Sequence, residues 1–183
     1  VYERFLEAAK QHAVGITLGP GRGEGRRMGP MLTAKDRERV LALIQAAEQD
    51  GATIVCGGQI PAQPAKGYFL EPTILRDVRR EMRLSCDEIF GPVLPVIRFT
   101  ENDDVIAMAN DTEYGLAAYV YTTNLSRGLR AAAEIDAGSV CVNEVHYAVH
   151  LPHGGVKQSG VGKDCSRYSI EEYLTLKRVS VRI

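Results

Sequence analysis

Glu88 and Phe90, in the stretch Cys86-Asp87-Glu88-Ile89-Phe90-Gly91-Pro92-Val93, are the residues of this chain best suited to grip a ligand together. Along an extended segment, side chains two positions apart project to the same side. The carboxylate can then accept hydrogen bonds from hydroxyls while the ring lies against a flat heterocycle. A sugar joined to an aromatic base fits both. The same residues also fit an acidic turn followed by two core side chains and a Gly-Pro stop, which needs no ligand.

Other residues offer rival chemistry. His146-x-x-x-His150-x-x-His153 places three imidazoles at spacings that suit zinc or nickel, but Pro152 interrupts the helix that would put them on one face, so no metal is assigned. Residues 19–27 are rich in glycine and arginine, as a phosphate cradle would be. They lack the Gly-Lys-Ser/Thr ending and follow a helix instead of a strand, which favours a flexible connection. Cys56, Cys86, Cys141 and Cys165 are far apart with no Cys-x-x-Cys pair, arguing against a zinc ribbon, a redox pair or a disulfide framework. They read as reduced, mostly buried thiols.

The elements that must position these groups follow from periodicity. Tyr2, Phe5, Leu6, Ala9 and Ala13 have the one-sided spacing of a helix that is already running at residue 2, with no capping residue before it, as in a cut chain. Thr33-x-x-Asp36 caps a helix with the face Val40, Leu43, Ile44 and Ala47, stopped at Gly51. Strands are expected at residues 53–56, 72–75 and 93–99, although Pro95 costs the last one a ladder bond. Thr100-x-x-Asp103 opens a further helix, followed by a strand at 117–122, a helix at 125–134 and a strand at 140–143. This alternation predicts an α/β fold: a mostly parallel open sheet with flanking helices. Residues 144–164 form a long glycine- and proline-punctuated loop of the kind that carries function. A short helix at 169–174 precedes a terminal strand in which Val179, Val181 and Ile183 alternate with polar residues, an edge ready to join another sheet.

Composition narrows the field. The chain has 183 residues, 22 Lys and Arg, 23 Asp and Glu, and a net charge of −1. That length suits a single domain burying roughly 70% of its unfolded surface. The charge balance offers no footprint for nucleic acid or an anionic membrane. No apolar run approaches the roughly 20 residues of a membrane span, and no leader pattern is present, so a soluble cytoplasmic protein is expected.

Several segments resemble, in order and from end to end, the signatures of the aldehyde dehydrogenase superfamily. Besides Glu88-Ile89-Phe90-Gly91-Pro92-Val93 these are Met28-Gly29-Pro30, Gly67-Tyr68-Phe69-x-Glu71-Pro72-Thr73, Asn110-x-Thr112-Glu113-Tyr114-Gly115-Leu116-Ala117-Ala118, Gly138-x-Val140-x-Val142-Asn143 and Pro152-His153-Gly154-Gly155-x-Lys157-Gln158-Ser159-Gly160-x-Gly162. The resemblance implies the C-terminal part of a catalytic domain at residues 1–163. Residues 164–183 would then be the C-terminal helix and oligomerisation strand of a homo-oligomer. The family's reaction uses a cysteine thiolate to attack an aldehyde, donors to hold the oxyanion, NAD or NADP to take the hydride, and a glutamate to activate the hydrolytic water.

By the same resemblance Glu88 holds the nicotinamide ribose hydroxyls and Phe90 positions the nicotinamide, while His146, Tyr147 and His153 line the aldehyde tunnel. Many members carry Phe or Trp where His153 stands, so this wall is more polar. The run Leu151-Pro152-His153-Gly154-Gly155 with Gly162-Lys163-Asp164-x-Ser166-x-Tyr168 looks most like the branch that oxidises aminoaldehydes such as 4-aminobutanal. The family's Gly-Gln-x-Cys nucleophile and Glu-Leu-Gly-Gly base do not occur here, and no dinucleotide-binding half is present. No catalytic residue is therefore assigned, and the chain by itself is expected to be inactive. Alternatives are a non-catalytic binding or assembly module of the same descent and a histidine-rich metal binder.

Overall fold

The computed structural model describes residues 1–22 and 28–183, which fall into two units, Val1–Thr100 and Glu101–Ile183. Of the connection expected at residues 19–27, residues 23–27 lie outside the described residues.

In the first unit the opening periodicity becomes α1 (Tyr2–Val14) and the capped pattern becomes α2 (Ala34–Gln49). The Thr33 hydroxyl accepts from the Asp36 amide at 3.1 Å, as the capping pattern requires. The chain leaves α2 through Gly51 at φ +101°, a conformation that L side chains rarely adopt. Then come β1 (Thr53–Cys56), β2 (Thr73–Arg76), α3 (Arg83–Cys86) and β3 (Val93–Pro95), forming one sheet in the order β1-β2-β3. β1 and β2 are antiparallel; β2 and β3 are parallel.

β2 is the strand around which this unit packs. Its successive side chains point to opposite faces, so Leu75 joins Val40, Leu43, Ile44 and Ala47 of α2 while Ile74 joins Leu6 and Ala13 of α1. Thr73 is buried, and its hydroxyl donates to the Glu71 carbonyl at 2.7 Å while accepting from the Gly58 amide at 2.8 Å. The strand expected at 93–99 ends at Pro95. One more ladder bond, from the Val96 amide to the Leu75 carbonyl at 2.9 Å, closes the pairing.

The second unit contains α4 (Val105–Asn110), β4 (Tyr114–Gly115), β5 (Ala117–Val120), α5 (Leu125–Glu134), β6 (Ser139–Val142), β7 (Val156–Lys157) and α6 (Tyr168–Glu171). Asp104, one residue beyond the expected Asp103, caps α4 by accepting from the Ala107 amide at 3.0 Å. Asn124 caps α5 in the same way at 3.0 Å. β5 and β6 are parallel, as the strand-helix-strand step requires, and β4 pairs with β7 in antiparallel fashion. The α/β alternation thus holds, with the strands divided among three small sheets and parallel pairing at β2-β3 and β5-β6.

Two expectations need correction. Residues 174–183 form no strand in the single chain and are exposed, because a strand's N–H and C=O groups need a partner that this chain alone does not bring to them. The thiols are not mostly buried: Cys86 is exposed and the other three are half-buried. β1 and β6, which carry Cys56 and Cys141, each pair with only one neighbouring strand.

Candidate functional site

In the first unit the candidate site is a turn built between α3 and β3. Arg83 pairs with Asp87 at 2.6 Å where α3 ends. Ile89 packs against the α2 core, anchoring the turn. Gly91 passes so close to α2 that a Cβ there would lie 3.0 Å from Val40 Cγ2. From α2, the Arg39 guanidinium donates to the carbonyls of Glu88 at 3.2 Å and Ile89 at 2.7 Å.

This construction leaves Glu88 and Phe90 on either side of a packed residue. Both are exposed, Phe90 to 77%. The Glu88 carboxylate bonds to none of the described residues. The premise that both lie on an extended segment does not hold, since Phe90 sits at φ +46° in the left-handed region. Exposure of both side chains comes instead from the Ile89 anchor and the Arg39 fork.

In the second unit, residues 143–166 are folded against the strand ends by their own polar groups. Asn143, at φ +59°, brackets Thr122, accepting from its amide and donating to its carbonyl at 2.8 Å each. The backbones of His153 and Asp164 pair through bonds of 2.9 and 2.7 Å. Their side chains meet as well, His153 Nδ1 lying 2.8 Å from Asp164 Oδ1. Lys163 donates through Nζ to the carbonyls of Gly154 at 2.7 Å and Gly155 at 3.2 Å. Lys157 Nζ holds the carbonyl of Asn110 at the end of α4 at 3.1 Å and the Asp136 carboxylate at 3.2 Å.

Tyr147 and His153 come together edge to face, with ring centroids 5.5 Å apart at 74°. The Tyr147 hydroxyl lies 3.0 Å from Cys165 Sγ, and this bond, followed by the charge of a nearby thiolate, pushes the phenol above the ordinary tyrosine range. His146 is placed differently. Its described contact is through its carbonyl, 3.9 Å from Cys141 Sγ, and no described contact joins its ring to Tyr147 or His153.

Among the described residues no group of three or more His, Cys, Asp or Glu side chains is arranged to hold a metal. His153 instead turns Nδ1 to Asp164. A cavity of about 530 Å³ opens at the carboxyl ends of the parallel β5-β6 pair, lined by Tyr121, Thr122, Thr123, Leu125, Val142 and Asn143. None of the predicted site residues lines it. Burial pushes the Cys56 thiol up, and the residue closes strand β1.

Arg39, Asp164 and Cys165 escaped the sequence reading as site residues. Gly162-Lys163-Asp164 lay within a recognised run, but a pairing across an eleven-residue separation has no local signal. Arg39 acts across 49 and 50 residues and is invisible to any motif.

A model described as the aldehyde dehydrogenase family matches residues 1–179. The betaine aldehyde dehydrogenase of Brucella anthropi is 41% identical over 184 residues, covering 99% of this chain and 38% of the relative. The aldehyde dehydrogenase of Bacillus cereus, solved as an NAD+ complex, is 38% identical with a TM-score of 0.93, over 100% of this chain and 37% of that one. An NADP-dependent enzyme of E. coli is 41% identical with a TM-score of 0.91, over 97% and 37%. The chain therefore spans less than two fifths of the length of the curated relatives it matches.

Proposed function

The chain belongs to the aldehyde dehydrogenase family, and we propose that it is the part of an NAD- or NADP-dependent enzyme that grips the nicotinamide end of the cofactor and walls the aldehyde path. The observation that carries this reading is the turn in which Glu88 offers a carboxylate that none of the described residues pairs, beside the exposed ring of Phe90, with Arg39 holding the main chain of the turn. These residues fit the group: a carboxylate can accept from two ribose hydroxyls, and the ring can lie against the heterocycle. A bound nicotinamide would supply the hydride acceptor for the oxidation, and water would supply the second oxygen of the carboxylic acid. Glu88 and Phe90 fix the orientation of the nicotinamide, and contribute no proton or nucleophile.

Tyr147 and His153 make a polar wall suited to an aldehyde with an amino or ammonium end, such as 4-aminobutanal; His146, the third residue we place on this path, makes no described ring contact with either. That a Brucella relative is a betaine aldehyde dehydrogenase supports a cationic aldehyde in general. The division we favour puts catalytic-domain residues at 1–163 and a joining helix and strand at 164–183. The terminal strand would form only on a second copy of the chain. Large apolar side chains exposed in the single chain, among them Tyr121, Leu125 and Leu129 at 67%, 72% and 60%, support its burial within a larger assembly.

The chain alone should show no turnover of aldehydes with NAD or NADP above a heat-killed control, since none of its cysteines stands in the family's nucleophile setting. In the complete enzyme Glu88→Gln should cost about 10- to 100-fold in cofactor affinity or hydride-transfer rate. Unchanged cofactor kinetics would remove the assignment.

A further inference from the structure

We propose that Asp164 is a specificity-determining positioning residue: by holding His153 through Nδ1 it leaves Nε2 as a hydrogen-bond acceptor, so the wall favours aldehydes whose nitrogen carries N–H over those whose nitrogen is fully methylated. This rests on the reading that His153 and Tyr147 line the aldehyde path.

Three bonds join the two residues: the backbone pair at 2.9 and 2.7 Å and the side-chain contact at 2.8 Å. The imidazole therefore cannot turn without breaking the last of them. A carboxylate has only acceptors to offer, so the ring nitrogen facing it carries the hydrogen. In a neutral imidazole the other nitrogen is then an acceptor. Nε2 bonds to none of the described residues; the Tyr147 hydroxyl lies instead 3.0 Å from Cys165 Sγ.

The ring of Tyr147, 65% exposed at the residue level and set edge to face with the imidazole, offers a π surface to a cation. The Asp164 charge behind the imidazole adds attraction for any cationic end. A primary ammonium and a trimethylammonium share both of these contacts. They differ in one respect: only the first can donate to Nε2. A hydrogen bond to or from a charged group is worth about 10- to 100-fold in affinity.

The test compares, in the complete enzyme, two aldehydes of equal chain length, one ending in a primary amine and one in a trimethylammonium group. The wild type should favour the amine by about 10- to 100-fold in kcat/KM. In Asp164→Asn the amide can donate to Nδ1 and move the imidazole hydrogen to Nε2, so the preference should collapse through the KM of the amine substrate, with Asp164→Glu restoring part of it. The same ratio in wild type and Asp164→Asn would overturn the inference while leaving aldehyde oxidation standing. If the wild type turned over neither aldehyde, the functional reading and this inference would fall together. Imidazole ¹⁵N shifts of the 183-residue chain, assigned with His153→Gln, provide a test that needs no activity. They should show a hydrogen-bearing Nδ1 and a bare Nε2 for His153, and the opposite pattern would overturn the proposal.

Discussion

Replacing Arg39 with alanine removes a fork of two charge-assisted hydrogen bonds, at 3.2 and 2.7 Å, to the carbonyls of Glu88 and Ile89. Arg39 is exposed, so water competes for both carbonyls and restores part of the loss. After that discount the pair stabilises the turn by about 1–2 kcal/mol, or about 5- to 30-fold in the ratio of closed to open turn. The α2 core should stay intact, because Val40, Leu43, Ile44 and Ala47 are buried in a cluster that also takes in Leu70, Leu75 and Leu84 and does not rest on Arg39. Hydrogen exchange in the cofactor-free chain reads this directly. The amide of Val93, bonded to the Gly91 carbonyl at 2.8 Å, should exchange faster by that factor, while the α2 amides keep their protection.

Arg39→Lys should fall between wild type and Arg39→Ala, since an ammonium can reach one carbonyl but cannot fork to two. In the complete enzyme, cofactor dissociation constants should weaken in the same order. The exchange measurement separates support of the turn from any direct touch of Arg39 on the cofactor, because no cofactor is present. Wild-type exchange at Val93 in Arg39→Ala would refute the claim that Arg39 aims Glu88 and Phe90.

Two further perturbations probe the interior and the second site. Thr73→Val strands the Gly58 amide and the Glu71 carbonyl that the buried hydroxyl now serves, and should cost about 1–3 kcal/mol in urea unfolding of the chain; an unchanged midpoint would mean those groups find other partners. Cys165→Ala should let the Tyr147 phenol titrate at lower pH than in the wild type, seen as phenolate absorbance against a Tyr147→Phe control, because the bond to Cys165 is the main cause of its upward shift. The linkage sign follows from the direction: a phenol raised in the folded state contributes stability that is present below the ordinary tyrosine range and is lost as pH rises through the raised value.

What could be read from the sequence was what local physics decides. α1, α2, α5 and β1 appeared where periodicity and caps put them, because an apolar stripe and a capping side chain act within a few residues. α3 has four residues and β4 and β7 two each, too short for any period, and β4 exists only because Tyr114 pairs with Lys157 across the unit. Glu88 and Phe90 were found by type and motif, yet their directions are set by Arg39, by the packing of Ile89 and by a left-handed φ at Phe90. His153 was found in the same way, and its tautomer is decided by Asp164.

The two sites thus share a principle of construction. In each, a neighbouring residue holds the group from a side other than the one it offers: Arg39 binds the main-chain carbonyls of Glu88 and Ile89, and Asp164 faces His153 at Nδ1. Neither anchor is buried, so each can be replaced without opening a cavity in the core. Substitutions at the anchors should therefore alter what the sites recognise well before they alter whether the chain folds. Substitutions at core positions such as Leu75, fully buried between helix and sheet, should do the reverse.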